Sequence, residues 1–283
     1  HRGDVMEVSN YVRAMRRGLA KLDTLPLSLR LISEIHAELL KNVRGAEKRP
    51  GEFRRFQNWI GPAECTLAEA TFVPPPPSDV AEAMGKLERF LHDEAPMPLL
   101  VKTALIHSQF ETIHPFGDGN GRMGRLLVTF YLCQRKALHH PTLYLSYFFK
   151  QRRQEYYDRL QKVRDEGDFE AWVRFFLTGV RDVSRDGTET ARRIQALREA
   201  HRALVSKKLQ GSTIGLMLLD RLFTAPLLTV KTVAEVIERT YPIANGLVAD
   251  FVRLGLLKEI TGRARNRVFR YEPYLEIFGE LRP

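Results

Sequence analysis

Apolar residues recur at helical spacing through most of the chain, and strand-like stretches are few and short. Val5, Val8, Val12, Met15, Leu19 and Leu22 mark one stripe over residues 5–22. Leu31, Ile35 and Leu39 form a four-residue row in a second helix, which opens at Ser28, a suitable N-cap, and runs to Val43. His36, in that helix, reads as a packed or surface histidine. Further helices are expected over roughly residues 78–93 and 98–113, the latter burying Ala104, Ile106, His107, Phe110 and Ile113. Another continues from Leu126 to Leu138, and more follow over 144–185, where Trp172, Phe175 and Phe176 stand at core spacing. A long charged helix over 186–208 carries few large apolar residues and reads as a linker within 186–210.

Two regions break the helical pattern. In residues 50–77, Pro50-Gly51 and Gly61-Pro62 turn the chain on either side of an aromatic-rich segment, and Pro74 to Pro77 impose an extended stretch. This predicts a short hairpin with an exposed edge. In residues 211–283, a helix at 212–224 precedes VKTVAEVIE and IANGLVADFVRLGLL, two short helices with a tight break at Tyr241-Pro242. Strands are expected at 257–261 and 267–271 around GRARN. The expected fold is therefore mainly α, a helical bundle with a small β-hairpin, followed by a helix–turn–helix and a second hairpin.

Length adds that 283 residues suffice for one large domain or two smaller ones. There is no run of eighteen apolar residues, so no membrane span is expected, and the opening HRGDVMEVSNYV lacks a signal peptide's apolar region. Cys65 and Cys133 lie far apart without metal-type spacing, which fits reduced thiols and a cytoplasmic location. The net charge of +10 is interleaved with acids along helices, as in Arg152-Arg153-Gln154-Glu155, and by itself selects no partner. Adjacent His139 and His140 read as loop residues, not a metal site.

The candidate chemistry is concentrated in HPFGDGNGRMGR, His114 to Arg125, between two apolar helices. Gly117, Gly119 and Gly121 permit positive φ and close backbone approach, so that amides can point into one concavity. The helix that follows offers free N–H groups and a dipole that favours an anion. Arg122 and Arg125 are three apart and share a face beside it, with planar forks suited to phosphate. Asp118 would repel phosphate unless Mg²⁺ bridged them, and magnesium is often held by one carboxylate plus phosphates and water. His114, at the mouth of the loop, suits a general base. Together these suggest transfer of a phosphorus-containing group to a hydroxyl. A bare glycine-rich loop is the plain alternative. A calcium loop fails because Arg122 and Met123 occupy its fifth and sixth places, and a Walker loop fails for want of Gly-Lys-Ser/Thr.

The segment resembles the signature of the Fic (filamentation induced by cAMP) family, H-x-F-x-D/E-G-N-G-R-x-x-R, and matches it at His114, Phe116, Asp118, Gly119, Asn120, Gly121, Arg122 and Arg125. The resemblance implies an adenylyltransferase that moves AMP from ATP to a Ser, Thr or Tyr hydroxyl of a protein, with itself among the candidate targets. It implies that His114 deprotonates the hydroxyl and that Asp118 holds Mg²⁺. Asn120 and the amides of Gly117, Gly119 and Gly121 would bind phosphates, Arg122 and Arg125 would grip the β/γ end, and Phe116 would pack beneath. GEFRRFQNWIG is similar to the family's flap, with Gln57, Asn58, Trp59 and Ile60 as the strand that docks an extended target. Tyr156 and Tyr157 are similar to a segment beside the adenine pocket.

On this reading residues 1–185 form the catalytic domain, and residues 211–283 resemble a winged-helix domain. Its arginines Arg263, Arg265 and Arg267 could meet DNA phosphates, and dimerisation (a homodimer) or target docking is the alternative role. The family's inhibitory pattern, S/T-x-x-x-E-G/N, is not found; Lys162 to Gly167 has lysine in place of Ser or Thr. An inhibitory helix upstream of the chain, or a separate antitoxin, is the expected source of restraint, and the chain as it stands is expected to be derepressed. Rival readings are a Fic enzyme with another nucleotide donor, one that removes AMP, and a DNA-binding regulator with a nucleotide-sensing Fic unit.

Overall fold

The computed structural model describes residues 2–62 and 64–279, and the chain divides into two units, residues 1–184 and 185–283. In the first, α1 (Arg2–Leu22) and α2 (Leu29–Leu39) pack together, then α3 (Pro77–His92), α4 (Leu99–Ile113) and α5 (Asn120–Gln134) follow. Shorter helices α6 (Leu145–Gln151) and α7 (Arg153–Glu166) precede α8 (Phe169–Lys208), whose residues up to Ser184 belong to this unit. Ser28 caps α2 as expected, its hydroxyl accepting from the Leu31 amide at 3.4 Å. α2 ends four residues short of Val43.

α4 and α5 are buried nearly all round because two cores share them. Ile106, Phe110, Leu127 and Phe130 join α1, α2 and α3 in one cluster, while Ala104, Val128 and Leu132 meet Phe148, Tyr156, Trp172 and Phe176 in another. The stripe along α1 is only partly a core face. Met15, Leu19 and Leu22 pack inward, whereas Val5 and Val8 are exposed. The buried polar Asn10 ties α1 to the end of α2 by donating to the carbonyls of Leu39 and Lys41.

The hairpin expected over 50–77 is present in reduced form. Its pairing among the described residues is one antiparallel bridge between Ile60 and Phe72, with a 3₁₀ turn at Leu67–Glu69 between them. Pro62 and Pro74 to Pro77 bring no N–H to extend a ladder, which is why it stops there.

In the second unit, α9 (Thr213–Leu222), β1 (Leu227–Thr229), α10 (Val230–Ile237), α11 (Tyr241–Arg253), β2 (Lys258–Glu259), β3 (Val268–Arg270) and α12 (Glu272–Gly279) follow the remainder of α8. The antiparallel sheet runs β1-β3-β2, with Leu228 opposite Phe269 and Lys258 opposite Arg270. β1 and α12 were not legible in the sequence. Leu218, Leu222, Val233, Ile237, Phe251 and Tyr271 fill the core. Among the described residues of the whole chain, no helix is long and apolar enough to cross a membrane.

Candidate active site

The loop from His114 to Gly119 joins the C-terminus of α4 to the N-terminus of α5, so it inherits rigidity from the two most buried helices. Positive φ falls at two points in it. His114 leaves α4 in the left-handed region (φ 49°), and Gly119 caps α5 there (φ 76°). Gly117 and Gly121 serve closeness instead of φ: a Cβ at Gly117 would stand 3.0 Å from Lys48 Cβ and Phe56 Cζ, and one at Gly121 3.2 Å from Arg125 Nη1. The first intrahelical bond of α5 runs from the Met123 amide to the Gly119 carbonyl, so the amides of Asn120, Gly121 and Arg122 precede the helical ladder.

Asn120 is turned inward. Its Oδ1 accepts from the Phe116 amide at 2.9 Å and its Nδ2 donates to the Phe116 carbonyl at 2.8 Å. The side chain thus fixes the loop, with both ends of its amide committed to Phe116. Phe116 is fully buried, its ring stacked on His36 at 3.7 Å between centroids.

His36 accepts from the Gly51 amide at Nδ1, so Nε2 carries the proton and donates to the Asp118 carbonyl at 2.8 Å. Burial lowers its pKa to about 4, which keeps the ring neutral. Arg54 is a second brace that local pattern did not reveal. It is nearly fully buried and donates to the carbonyls of His114 (3.0 Å), Phe56 (3.3 Å), Pro75 (2.5 Å) and Ile113 (3.3 Å). It caps α4 and bolts the base of the flap to the catalytic loop.

His114 is largely buried, and burial lowers its pKa to about 4, so the imidazole is neutral and able to accept a proton at neutral pH. Its Nδ1 has no hydrogen-bond partner and lies 3.9 Å from Glu111 Oε2. Arg122 donates to Glu7 Oε2 of α1 at 3.0 Å and approaches Asp118 Oδ1 at 3.9 Å. Arg125 has a buried Nε without a partner. Asp118 Oδ1 accepts from the Gly119 amide at 2.5 Å. Space beside its other oxygen depends on Gly45, where a Cβ would stand 2.9 Å from Oδ2.

The flap residues gather here. Asn58 Nδ2 donates to the carbonyls of Phe116 (3.1 Å) and, more weakly, His114 (3.4 Å), while Gln57 Nε2 reaches the carbonyls of Asn58 and Pro74. Trp59 is half-exposed, with Nε1 donating to the Cys65 carbonyl. The tyrosines divide. Tyr156 is a core residue whose hydroxyl lies 3.0 Å from His107 Nε2, and Tyr157 stands edge-on to it at 5.3 Å with 41% of its surface exposed.

Free helix-start amides, a neutral histidine and two arginines thus meet at one helix junction of the bundle. Residues 26–132 match the model of the Fic/DOC family, and this stretch is a Fic domain. The chain is 36% identical over 151 residues to the protein adenylyltransferase Fic of Culex quinquefasciatus, which covers 53% of this chain and 27% of that protein. It is 37% identical over 153 residues to the protein of the same name from Drosophila grimshawi, covering 53% and 28% respectively. The matched part is thus little more than a quarter of each relative. A Fic family protein from Desulfovibrio desulfuricans G20 shares the fold, with a TM-score of 0.57 over 96% of this chain and 76% of that one at 22% identity.

Proposed function

We propose that the first unit is a protein adenylyltransferase, moving AMP from ATP to a hydroxyl side chain of a protein with release of pyrophosphate. The observation that carries this is where unmet polarity lies. The four buried side-chain atoms without a partner among the described residues are Asn58 Oδ1, Glu111 Oε1, His114 Nδ1 and Arg125 Nε, and all belong to this one junction. A buried orphan costs about 1–3 kcal/mol, so such a cluster is kept where function requires it.

The hydroxyl oxygen bonds to the α-phosphorus as the bond to the bridging oxygen of pyrophosphate breaks, and His114 takes the hydroxyl proton. The free amides of α5, Arg122 and Arg125 hold the β- and γ-phosphates in line, so that positioning and charge neutralisation supply most of the rate. Gln57 to Ile60 receive the target as an extended segment. Tyr157, part-exposed beside the Arg153 guanidinium and edge-on to buried Tyr156, is the ring offered to the adenine. A lone carboxylate beside glycine-lined space fits Mg²⁺, for which Asp118 would be the protein ligand. Bound there, magnesium would offset the charge of the phosphates.

For residues 211–283 we propose a winged-helix module, supported by the order helix, strand, helix, helix, strand, strand. Arg263 and Arg265 are exposed, but Arg267 donates to Asn245 at 2.8 Å and Arg253 is paired with Asp250. α11 exposes Tyr241, Ile243 and Val252. These exposed apolar side chains favour contact with protein, a second copy included, over DNA. The free thiols of Cys65 and Cys133 fit a reducing compartment such as the cytoplasm.

The test is incubation with ATP labelled at the α- or γ-phosphate, with a cell lysate as acceptor. Label retained in protein from the α position alone is the expected result. Retention from γ would make it a kinase, and no retention would leave a nucleotide-sensing regulator.

A further inference from the structure

Glu111 is the buried group for which the transfer chemistry has so far found no use. It lies on α4 one turn before His114, is 5% exposed, and has one carboxylate oxygen without a hydrogen-bond partner. Its other oxygen is 3.9 Å from the equally unpartnered Nδ1 of His114. A buried acceptor and a buried ring nitrogen thus face each other across a gap that a small side-chain rotation closes to hydrogen-bond distance.

The helix packed against them keeps room for the carboxylate. A Cβ at Gly124 would stand 2.4 Å from Glu111 Oε1. Gly124 does not have positive φ. Glycine inside a helix costs about 1 kcal/mol relative to alanine, so its use here is space.

We infer that Glu111 is the positioning residue for the base: its carboxylate accepts from Nδ1–H of His114 and so reserves the Nε2 lone pair for the proton of the target hydroxyl. This rests on the transfer reaction proposed above. When the hydroxyl oxygen bonds to the α-phosphorus and pyrophosphate leaves, the hydroxyl proton comes to Nε2. The imidazolium so formed is stabilised by the carboxylate until the proton passes to solvent. With the carboxyl protonated the logic reverses: its O–H donates to Nδ1, the ring proton sits on Nε2, and the base is blocked.

The charges around Glu111 come from three elements. Arg125 on α5 and Arg164 on α7 favour its ionised form, Tyr156 on α7 lies beside it, and His114 follows it in the loop. The Arg164 guanidinium is hydrogen-bonded to the Glu111 carbonyl at 3.2 Å, Thr112 Oγ1 at 3.4 Å and Gln161 Oε1 at 3.3 Å. Burial outweighs both arginines and raises the Glu111 pKa to about 7. The carboxyl therefore changes charge near neutral pH, where that change can set the tautomer of His114.

Nitrogen NMR of the full chain with ¹⁵N-histidine reads the tautomer directly, the His114 signals being those missing from His114→Ala. In the parent protein they should step near pH 7 as Glu111 ionises. Glu111→Gln should lose that step, and Glu111→Asp, which keeps a carboxylate, should retain one. The rate of α-label transfer in Glu111→Gln should fall about ten-fold or more and lose its acid limb near pH 7, with ATP affinity unchanged within about two-fold. Absence of the step in the parent protein, or its persistence in Glu111→Gln, overturns the inference. Weakened ATP binding with the step intact also overturns it and makes Glu111 the counter-ion of Arg125. If the step behaves as expected but no label is ever transferred, the orientation of His114 stands and the adenylyltransferase reading fails.

Discussion

Two side chains separate chemistry from binding in this site. His114 is placed to move a proton and, by the reading above, makes no contact needed to hold ATP. His114→Ala should therefore reduce α-label transfer by about a hundred-fold or more while isothermal calorimetry finds ATP affinity within about two-fold of the parent. Arg122 is different, because Glu7 already occupies one of its nitrogens. That pair must yield before the guanidinium can reach a phosphate. Partly exposed pairs are worth about 0.5–1 kcal/mol, so Glu7→Gln should tighten ATP binding roughly two- to five-fold in the same calorimetric measurement. Unchanged affinity would show that Arg122 does not engage the nucleotide. Of the residues at this junction, those inside the signature were legible, because a cradle built from one turn and one helix start needs only neighbours in sequence. Glu7 was not, since the contact that gives it meaning spans 115 residues.

Among the elements, α4 was placed almost to the residue by its apolar spacing and Ser28 marked the start of α2, whereas α5 ends at Gln134, short of the expected Leu138. The misreadings have physical causes. Val5 and Val8 continue a good helical stripe, yet both are exposed, and at this end of α1 the contact with α5 is the polar pair Glu7–Arg122, which apolar periodicity does not register. The flap shows the converse: it is held by side chains reaching backbone carbonyls, which leave no periodic trace. Arg54 is the clearest case, a buried fork across the carbonyls of four residues. Arg54→Ala should lower unfolding free energy by about 2–4 kcal/mol in urea titration, because it strips charge-assisted bonds and orphans the end of α4. The transfer rate should fall with it as His114 loses its left-handed anchor. Stability within about 0.5 kcal/mol of the parent would mean that the flap and loop hold themselves.

At the scale of the molecule, buried titratable groups set how folding responds to acid. His36, His107 and His114 have ordinary values of 6.5 and are lowered to about 4 by burial. Each unfolded histidine binds a proton that its folded counterpart refuses, so their contribution is complete above pH 6.5 and is lost as pH falls towards 4. Glu111, raised from 4.5 to about 7, works the other way: its contribution is complete below 4.5 and is lost as pH rises through 7. Three histidines outweigh one carboxyl, and stability measured by urea should climb between pH 4 and 6.5. Glu111→Gln should steepen that climb, and an unaltered slope would place Glu111 in a more polar setting than the structure gives it. Sequence by itself determined the helical architecture and the local make-up of His114 to Arg125, since both are written in residues near one another along the chain. Only the tertiary structure decided which distant groups brace that chemistry. His36 under the loop, Arg54 behind His114, Asn58 over Phe116 and Tyr156 against His107 are brought together by packing, and the separations of 49 to 82 residues between these partners leave no local pattern to read.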